Sequence, residues 1–292
     1  MRVTDNLRFF NVQKNLSSLS SRQATVAQQA ATGMRINAPS DDAAGASELV
    51  RIDSGLQRMD SYKRSIGSAR DDASLAEATL GAASGLFDRA RELALQGANG
   101  SLSANERSML ASEVKQLREQ LTDFANAKGS RGYLFAGSRT DTAPFDNVGT
   151  FSGDQNAQRI EAGPGLTIQV SADGATAFTA AGGEDTFTAL SNLEAALVAN
   201  DPAATAASLG ALDRSKQQLT SARASSGLLI NRLDTADAAV DTGKLSLTEK
   251  RSHVGDADAF EAYSQLMNLS SSIEQAIAVA KNTLSLSSVS RF

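Results

Sequence analysis

The amino-acid sequence predicts a mainly α-helical protein, in which the N- and C-terminal halves form an elongated antiparallel coiled-coil rod that carries a small β-rich inserted domain. Three observations predict this fold class. The 292 residues include 50 alanines but no tryptophan, which favours closely packed helices over one thick core. Four prolines leave 40–143 and 203–292 free of the strongest helix breaker. The glycines are concentrated between Gly129 and Gly183.

The charge and cysteine content exclude several classes of function. The chain carries 28 Lys and Arg against 33 Asp and Glu, a formal net charge of −5, so it lacks the positive field that holds a nucleic-acid backbone. Without cysteine, disulfides, thiolate nucleophiles and cysteine metal sites are excluded. The negative net charge therefore predicts no nucleic-acid partner. No membrane-length apolar run and no cleavable secretory signal are visible, so we also expect no membrane partner.

Both ends of the chain carry a narrow apolar stripe at helical spacing. The N-terminal stripe has steps of three and four residues and comprises Val12, Leu16, Leu19, Gln23, Val26 and Ala30. The C-terminal stripe has the same steps and comprises Ala259, Ala262, Leu266, Leu269, Ile273, Ala276 and Ala280. Such a stripe stabilises a helix only when it is packed. Either the two stripes pair with each other alone, or they also pair with neighbouring subunits.

The large side chains of these stripes are the candidate assembly residues. They are Leu16, Leu19 and Val26 in the N-terminal stripe and Leu266, Leu269 and Ile273 in the C-terminal stripe. Because each stripe requires a partner for its apolar face, the sequence favours an assembly protein over an enzyme.

Three further helices are predicted between these ends. One covers about 42–97, and the next opens at Ser103, which forms a capping-box pattern with Glu106. Gly129 is placed where a C-cap glycine would end that second helix. Asp201 followed by Pro202 predicts the start of a long helix, whose heptad frame is interrupted by polar residues. These interruptions are Lys216, Arg223, Ser226, Asp237 and Lys244.

The glycine-rich middle of the chain has the pattern of short strands and turns. The predicted strands are Tyr133–Ala136, Ala157–Ala162 and Leu166–Val170, separated by turns that include Gly163–Gly165 and Asp173–Gly174. A β-rich insert is therefore predicted at 143–186, followed by a short helix at 187–199.

Chemistry-bearing patterns are scarce. His253 is the only histidine, so a hydrolase with a catalytic triad would have to use it, with Asp256 or Asp258 to orient it. No nucleophile elbow accompanies it, and the simpler interpretation is an exposed histidine near a helix end. Phosphate-binding glycine loops and metal-ligand spacings are absent from the sequence, so no cofactor and no catalytic residue is expected.

Several motifs resemble those of the bacterial flagellin and hook-associated protein family. Thr32–Gly45 resembles its signature Ser-Gly-x-Arg-Ile-Asn-Ser-Ala-x-Asp-Asp, although Ala38 and Pro39 replace Ser-Ala. Arg91–Gln96 with the following Asn-Gly is similar to a second family segment. Asp256–Asp258 and Thr283–Leu286 resemble the C-terminal motifs.

Within this family, the middle of the chain resembles the member that joins hook to filament. Gly132–Ser138 is similar to that member, whereas a filament subunit usually carries Phe-Asn-Gly-x-x-Leu-Leu-x-Gly there. The opening Met1–Thr4 and the small insert point the same way. The alternative is a flagellin filament subunit.

The resemblance implies a structural adaptor located outside the cell at the hook–filament junction and secreted by the flagellar type III apparatus. Its implied partners are the preceding hook-associated protein, flagellin, its own copies in a ring and an export chaperone at the C-terminal helix. It also implies three parts. Residues 1–41 and 255–292 form an inner coiled coil that orders on assembly, 42–142 and 187–254 form the helical rod, and 143–186 forms an outer insert.

Overall fold

The computed structural model describes residues 2–289, with side chains described for Leu7 and for residues 9–282. These residues form helices α1 (Arg2–Thr32), α2 (Ala43–Gly97), α3 (Ala104–Ala125), α4 (Gly174–Phe178), α5 (Thr186–Val198), α6 (Pro202–Gly255) and α7 (Ala259–Val289). The strands are β1 (Lys128–Gly129), β2 (Gly132–Tyr133), β3 (Arg159–Gly163) and β4 (Leu166–Gln169). The prediction of a mainly α-helical chain with a small β-rich region is confirmed.

The chain divides into two compact units. The first unit joins the residues up to Arg58 with those from Lys244 onward, and the second unit is Met59–Gly243. The long helices α2 and α6 each contribute residues to both units. The sequence-based division into inner, rod and outer parts assigns roles in an assembly, and it stays a prediction.

Local signals placed the ends of the main helices well. The helix predicted at about 42–97 is α2, and the short helix predicted at 187–199 is α5. The capping box of α3 is formed, because Ser103 Oγ accepts from Glu106 N and the Glu106 carboxylate accepts from Ser103 N at 2.7 Å. The Asp201 carboxylate accepts from two main-chain N–H groups of the first turn of α6.

The second unit has a thoroughly buried core. Phenylalanine rings pack at its centre, where the centroids of Phe135 and Phe178 lie 5.2 Å apart and Phe145 lies 5.4 Å from both Phe178 and Phe187. These edge-on and tilted contacts are the favourable geometries for aromatic rings. Since Phe145 and Phe178 lie in the predicted insert, that segment shares its buried cluster with α2, α3 and α5.

The polar residues that interrupt the heptad frame of α6 mostly pair with α2. Within the second unit, the ion pairs between the two helices are Lys63–Asp241, Lys63–Asp237, Arg70–Asp234, Glu77–Arg223, Asp88–Lys216 and Arg91–Asp213. Positions on α2 rise as those on α6 fall, so the two helices run antiparallel there. These groups are partly exposed and each pair stabilises the fold by only about 0–1 kcal/mol. Their main effect is to define the register.

The β-rich region contains two small antiparallel hairpins. In the larger one, Arg159 lies opposite Gln169 and Ile160 opposite Ile168. Gly165 has φ +72° in the turn between β3 and β4, a conformation that glycine adopts without steric cost. One face of this hairpin joins a buried cluster with α2 and α6, which comprises Ala162, Ile168, Val170, Ile66, Ala69, Ala73, Leu233, Ala236 and Val240.

Three local predictions in this region were wrong. Helix α3 ends at Ala125, and Asn126 rather than Gly129 is its C-cap. Gly129 belongs to β1, where an added Cβ would lie 2.3 Å from Asp72 Oδ1, so close approach to α2 explains this glycine. The predicted turn at Asp173–Gly174 is the start of α4, with the Asp173 carboxylate accepting from Thr176 N. Of the strand predicted at Tyr133–Ala136, only the first residue lies in a strand.

A buried arginine that the sequence did not reveal joins two connections of the second unit. Arg107 is 3% exposed, and its guanidinium donates to the carbonyls of Gly97, Asn99 and Leu102 at 2.6–2.9 Å. It also donates to Oδ1 of Asn200, a residue with φ 56° before α6. The charge is therefore satisfied by uncharged acceptors, one of which is the carbonyl of Gly97, the last residue of α2, where a cation is favoured.

Candidate assembly surface of the terminal helices

The terminal helices α1 and α7 pack against each other within the first unit. Gln23 Nε2 donates to Ser270 Oγ at 3.0 Å, and Gly33 O, just after α1, accepts from Ala257 N, just before α7, at 2.9 Å. Positions on α1 therefore rise as those on α7 fall, and the pair is antiparallel.

The six candidate assembly residues lie on the less exposed sides of these two helices. Val26 is 8% exposed, whereas the other five, Leu16, Leu19, Leu266, Leu269 and Ile273, are half-buried. The predicted stripes thus include the faces on which α1 and α7 cover each other in one chain. Pairing within the chain covers these residues only in part.

A second apolar surface on α7 is almost fully uncovered. Phe260 is 86% exposed, Tyr263 58% and Met267 73%, and their spacing of three and four residues places them on one side of the helix. At 100° per residue this side lies about 120° from the half-buried stripe. This surface was not predicted from the sequence, although the same period-3.6 count applied to Phe260, Tyr263 and Met267 would have found it.

The N-terminal helix also exposes large apolar groups. Leu7 is 54% exposed, Phe9 55% and Phe10 62%. Exposed aromatic residues on both terminal helices are typical of surfaces that meet other proteins. We name the exposed side chains of Leu7, Phe9, Phe10, Phe260, Tyr263 and Met267 the outer apolar set.

The connection from α1 to α2 is bound to the connection from α6 to α7. The main-chain N of Arg35 donates to Gly255 O at 2.7 Å, and its guanidinium donates to Val254 O at 2.9 Å. Met34 and Asp256 form an isolated antiparallel bridge. The two family-like segments, Thr32–Gly45 and Asp256–Asp258, therefore meet in the first unit.

Two aspartates shape the Thr32–Gly45 segment. Oδ2 of Asp41 accepts from the main-chain N of Asn37 at 3.0 Å and of Ala38 at 2.8 Å. A hydrogen bond from Gly45 N, and a second one from Arg35, lower the pKa of Asp42. Gly45 allows a close approach here, because an added Cβ would lie 2.4 Å from Ile36 Cδ1 and these groups would have to shift.

His253 has the environment that the simpler sequence interpretation expected. It is exposed in the last turn of α6, and its imidazole forms no hydrogen bond within the part of the chain that the structure describes. Asp256 accepts from Ser252 Oγ, and Asp258 accepts from the first N–H groups of α7. Both aspartates therefore serve the connection between α6 and α7 and do not orient an imidazole.

Candidate metal sites and membrane spans are absent from the described residues. These residues contain no cluster of three His, Cys, Asp or Glu side chains suited to a metal ion. Their helices also lack an apolar stretch that could cross a membrane. Of the C-terminal family motif Thr283–Leu286, the side chains lie outside the described ones.

This chain is similar to known proteins of the bacterial flagellum. Residues 3–140 match the sequence pattern of a protein family, the bacterial flagellin N-terminal helical region. Flagellar hook-associated protein 3 of Escherichia coli is 29% identical over 273 residues, which cover 84% of this chain and 86% of that protein. Its Salmonella typhimurium counterpart is 29% identical over 183 residues, and the match covers 61% of this chain but only 57% of the relative's length.

Filament proteins match over less of their own length than the Escherichia coli protein does. Flagellin D of Vibrio anguillarum is 26% identical over 185 residues, which cover 63% of this chain and 48% of the flagellin. B-type flagellin of Pseudomonas aeruginosa is 33% identical over 126 residues, which cover 43% of this chain and 26% of the flagellin. This match is limited to less than half of either chain.

Solved structures agree with the sequence matches. A structure described as a flagellar hook-associated protein from Vibrio parahaemolyticus has a TM-score of 0.68 at 25% identity, and the match covers 74% of this chain and 100% of that one. The flagellar junction protein FlgL from Legionella pneumophila, 17% identical with a TM-score of 0.57, covers 72% of this chain and 100% of its own and shares the fold.

The chain is similar to the flagellin-like structural proteins of the bacterial flagellum. Among these proteins, its similarity to flagellar hook-associated protein 3 of Escherichia coli extends over most of both chains.

Proposed function

We propose that this protein is a structural adaptor that joins the flagellar hook, through the preceding hook-associated protein, to the flagellin filament. The observation that supports this proposal most is coverage. The match to hook-associated protein 3 of Escherichia coli spans 84% of this chain and 86% of the relative, whereas the match to flagellin D of Vibrio anguillarum spans 63% of this chain and 48% of the flagellin. A filament subunit remains the alternative function.

The adaptor works by packing and makes or breaks no covalent bond. In the free chain, Leu16, Leu19, Leu266, Leu269 and Ile273 are only half-buried by the pairing of α1 with α7, so this pair is marginally stable by itself. Neighbouring copies in a ring cover the outer apolar set and complete the burial. Each further Å² of apolar surface removed from water contributes about 25 cal/mol, which drives order in the terminal helices on assembly.

The three sequence-defined parts have separate roles in this proposal. Residues 1–41 and 255–292 form the inner coiled coil of the ring, 42–142 and 187–254 form the rod, and 143–186 forms an outer insert. The half-buried stripes support the first role, and the ion-paired register of α2 and α6 supports the second.

The proposal includes the route to the junction. The type III apparatus of the flagellum exports the chain to the outside of the cell, and a chaperone covers the apolar side of α7 before export. Phe260, Tyr263 and Met267 provide a surface of the kind that an amphipathic helix presents to a groove. We expect no enzymatic activity, and His253→Ala should change no property of the assembled flagellum.

Immunogold labelling of purified flagella separates the two functions. The native strain and a strain that lacks this chain are labelled with antibody against the protein and viewed by electron microscopy. For an adaptor we expect label at one band between hook and filament, with bare hooks and free flagellin in the medium of the deletion strain. Label along the whole filament would support the alternative, a filament subunit.

A matched pair of variants tests the packing mechanism in the same strains. Met267→Glu alters the outer apolar set, and Ser264→Glu places the same charge at an exposed polar position of the same helix. We expect filaments on few or no hooks with Met267→Glu and a normal number with Ser264→Glu. Equal filament numbers in both strains would contradict the role of the outer apolar set.

A further inference from the structure

The second unit contains a cleft that the adaptor function does not use. The cleft has a volume of about 530 Å³. Small apolar side chains of α2 and α6 form one wall, and residues of β2 and of the end of β4 form the other. The lining residues on which the argument depends are Ala76, Leu80, Leu229, Tyr133, Gln169 and Ser171.

The outer edge of β4 carries unpaired main-chain groups. Val170 N donates to Gln158 O at 2.9 Å, and Gln169 lies opposite Arg159 in the next pair. Hydrogen-bonded and non-hydrogen-bonded pairs alternate in an antiparallel ladder, so the N–H and C=O of Gln169 point away from β3. In the described part of the chain, β4 has β3 as its single neighbouring strand. An open strand edge therefore lies beside the cleft, since Gln169 and Ser171 both line it.

The charges around the cleft leave one cation available. Asp72 accepts from Ser130 N and from Arg131 Nε at 2.8 Å, so this acid and this base satisfy each other. Asp173 is occupied at the start of α4. Arg232 lines the same cleft and is exposed, and no ion pair holds it among the residues that the structure describes.

We propose that this cleft binds an extended peptide segment of a partner protein, which adds as a strand to the outer edge of β4 and places a carboxylate on Arg232. An extended segment satisfies the unpaired groups of Gln169 by main-chain hydrogen bonds. A helix does not, because its main-chain N–H and C=O groups are already bonded to each other within the helix. The guanidinium of Arg232 gives the preference for an acidic residue. This inference holds whether the chain serves at the junction or in the filament.

Binding of a defined peptide to the full-length chain tests the proposal. The probe is a fluorescein-labelled octapeptide of alternating Thr and Val with one central Glu, and the reference probe carries Lys in place of Glu. Fluorescence anisotropy gives the affinity of each. We expect the Glu peptide to bind at least tenfold more tightly than the Lys peptide. Equal affinities, or no binding of the Glu peptide at millimolar protein, would overturn the proposal.

Two variants locate the bound peptide, and one variant controls for charge. Arg232→Glu should reverse the preference, so that the Lys peptide binds more tightly than the Glu peptide. Arg159→Glu changes the same charge on β3, at an exposed residue outside the cleft lining, and should leave both affinities within twofold. An equal loss with Arg159→Glu would show a nonspecific charge effect and overturn the site.

The strand edge is tested separately. Gln169→Pro removes a main-chain N–H that points away from β3, so the β3–β4 ladder keeps its hydrogen bonds. We expect at least a tenfold loss of Glu-peptide affinity, with an unchanged helical circular-dichroism spectrum. Undiminished binding would overturn the addition of a strand. If Gln169→Pro alters the spectrum, hydrogen exchange of Ser171 N–H in the native chain decides, because added pairing must slow it and an unchanged rate contradicts the proposal.

Discussion

The second unit contains a core of large side chains that are completely buried, whereas the first unit leaves most of its large apolar side chains partly or largely exposed. In the second unit, Phe87, Leu93 and Leu121 are at most 1% exposed. In the first unit, the buried apolar residues among those that the structure describes are Val26, Ile36, Ile52 and Ala262, each 4–8% exposed.

This difference separates stability from assembly in one polypeptide. A unit with a filled core is stable before it meets a partner, because burial outweighs the entropy of ordering the chain. A pair of helices with one shared stripe gains far less and has apolar surface left over. The first unit therefore keeps apolar surface exposed, and we expect the second unit to be stable by itself.

The largest expected effect is the removal of a core ring from the second unit. Phe178→Ala deletes a ring that contacts Phe135 and Phe145, and cavity formation should cost about 3–5 kcal/mol of unfolding free energy. Urea unfolding followed by helical circular dichroism measures it. Val148→Ala, at a residue that is 69% exposed, should cost less than about 0.5 kcal/mol. A similar small cost for both variants would contradict the filled core.

The next effect concerns the buried arginine of the same unit. Arg107→Met keeps the aliphatic stem but leaves four acceptors without their donor, and we expect a loss of roughly 2–4 kcal/mol in the same assay. Arg64→Met, at an exposed position of α2, is the matched control and should change little. If Arg107→Met were neutral or stabilising, the hydrogen bonds of Arg107 would contribute nothing net to the folded state.

A smaller and local effect is expected in the first unit. Leu269→Glu places a charge on the half-buried stripe and should lower amide protection in both α1 and α7 about tenfold, which is about 1.4 kcal/mol. Hydrogen exchange of the free chain measures this. Met267→Glu, on the outer apolar set, should leave protection unchanged in the free chain, because that side chain is 73% exposed there.

Protection in the second unit provides the internal reference for this experiment. The amides of α3 and α5 should exchange equally slowly in both variants, since neither substitution lies in that unit. Slower folding or faster exchange of α3 with Leu269→Glu would mean that the stability of the two units is coupled, and would remove the separation that the burial pattern indicates.

Most of the helices could be predicted from the sequence, because the patterns that mark their ends and their apolar sides are local. The Ser103–Glu106 capping box and the Asp201–Pro202 start depend on hydrogen bonds within three residues, and both were formed as predicted. The apolar steps through Leu16, Leu19, Leu266 and Leu269 likewise identified the sides on which α1 and α7 are less exposed. Such short-range patterns survive any arrangement of the rest of the chain.

The features that the sequence did not reveal depend on contacts with other elements of the fold. Arg107 reads as a surface cation until α2 and Asn200 surround it, and Gly129 reads as a helix cap until Asp72 approaches it. Lys216 and Arg223 interrupt a heptad frame until their acidic partners on α2 are known. None of these contacts has a regular sequence spacing from which it could have been predicted.

The smallest expected effect is a titration in a loop of the second unit. Asp154 accepts from the Ser138 hydroxyl and from Ser138 N at 2.7 Å, and these bonds, the first above all, lower its pKa to about 2 from the ordinary 3.8. Because the folded pKa is depressed, the stabilisation is fully present above pH 3.8 and is lost as the pH falls through about 2. The carboxyl-carbon NMR shift of Asp154 should therefore titrate near pH 2, and Ser138→Ala should move the midpoint upward. A midpoint near 3.8 in the unmodified chain would show that this loop does not keep its hydrogen bonds in solution. The contrast between the two units would then not extend to this loop of the second unit.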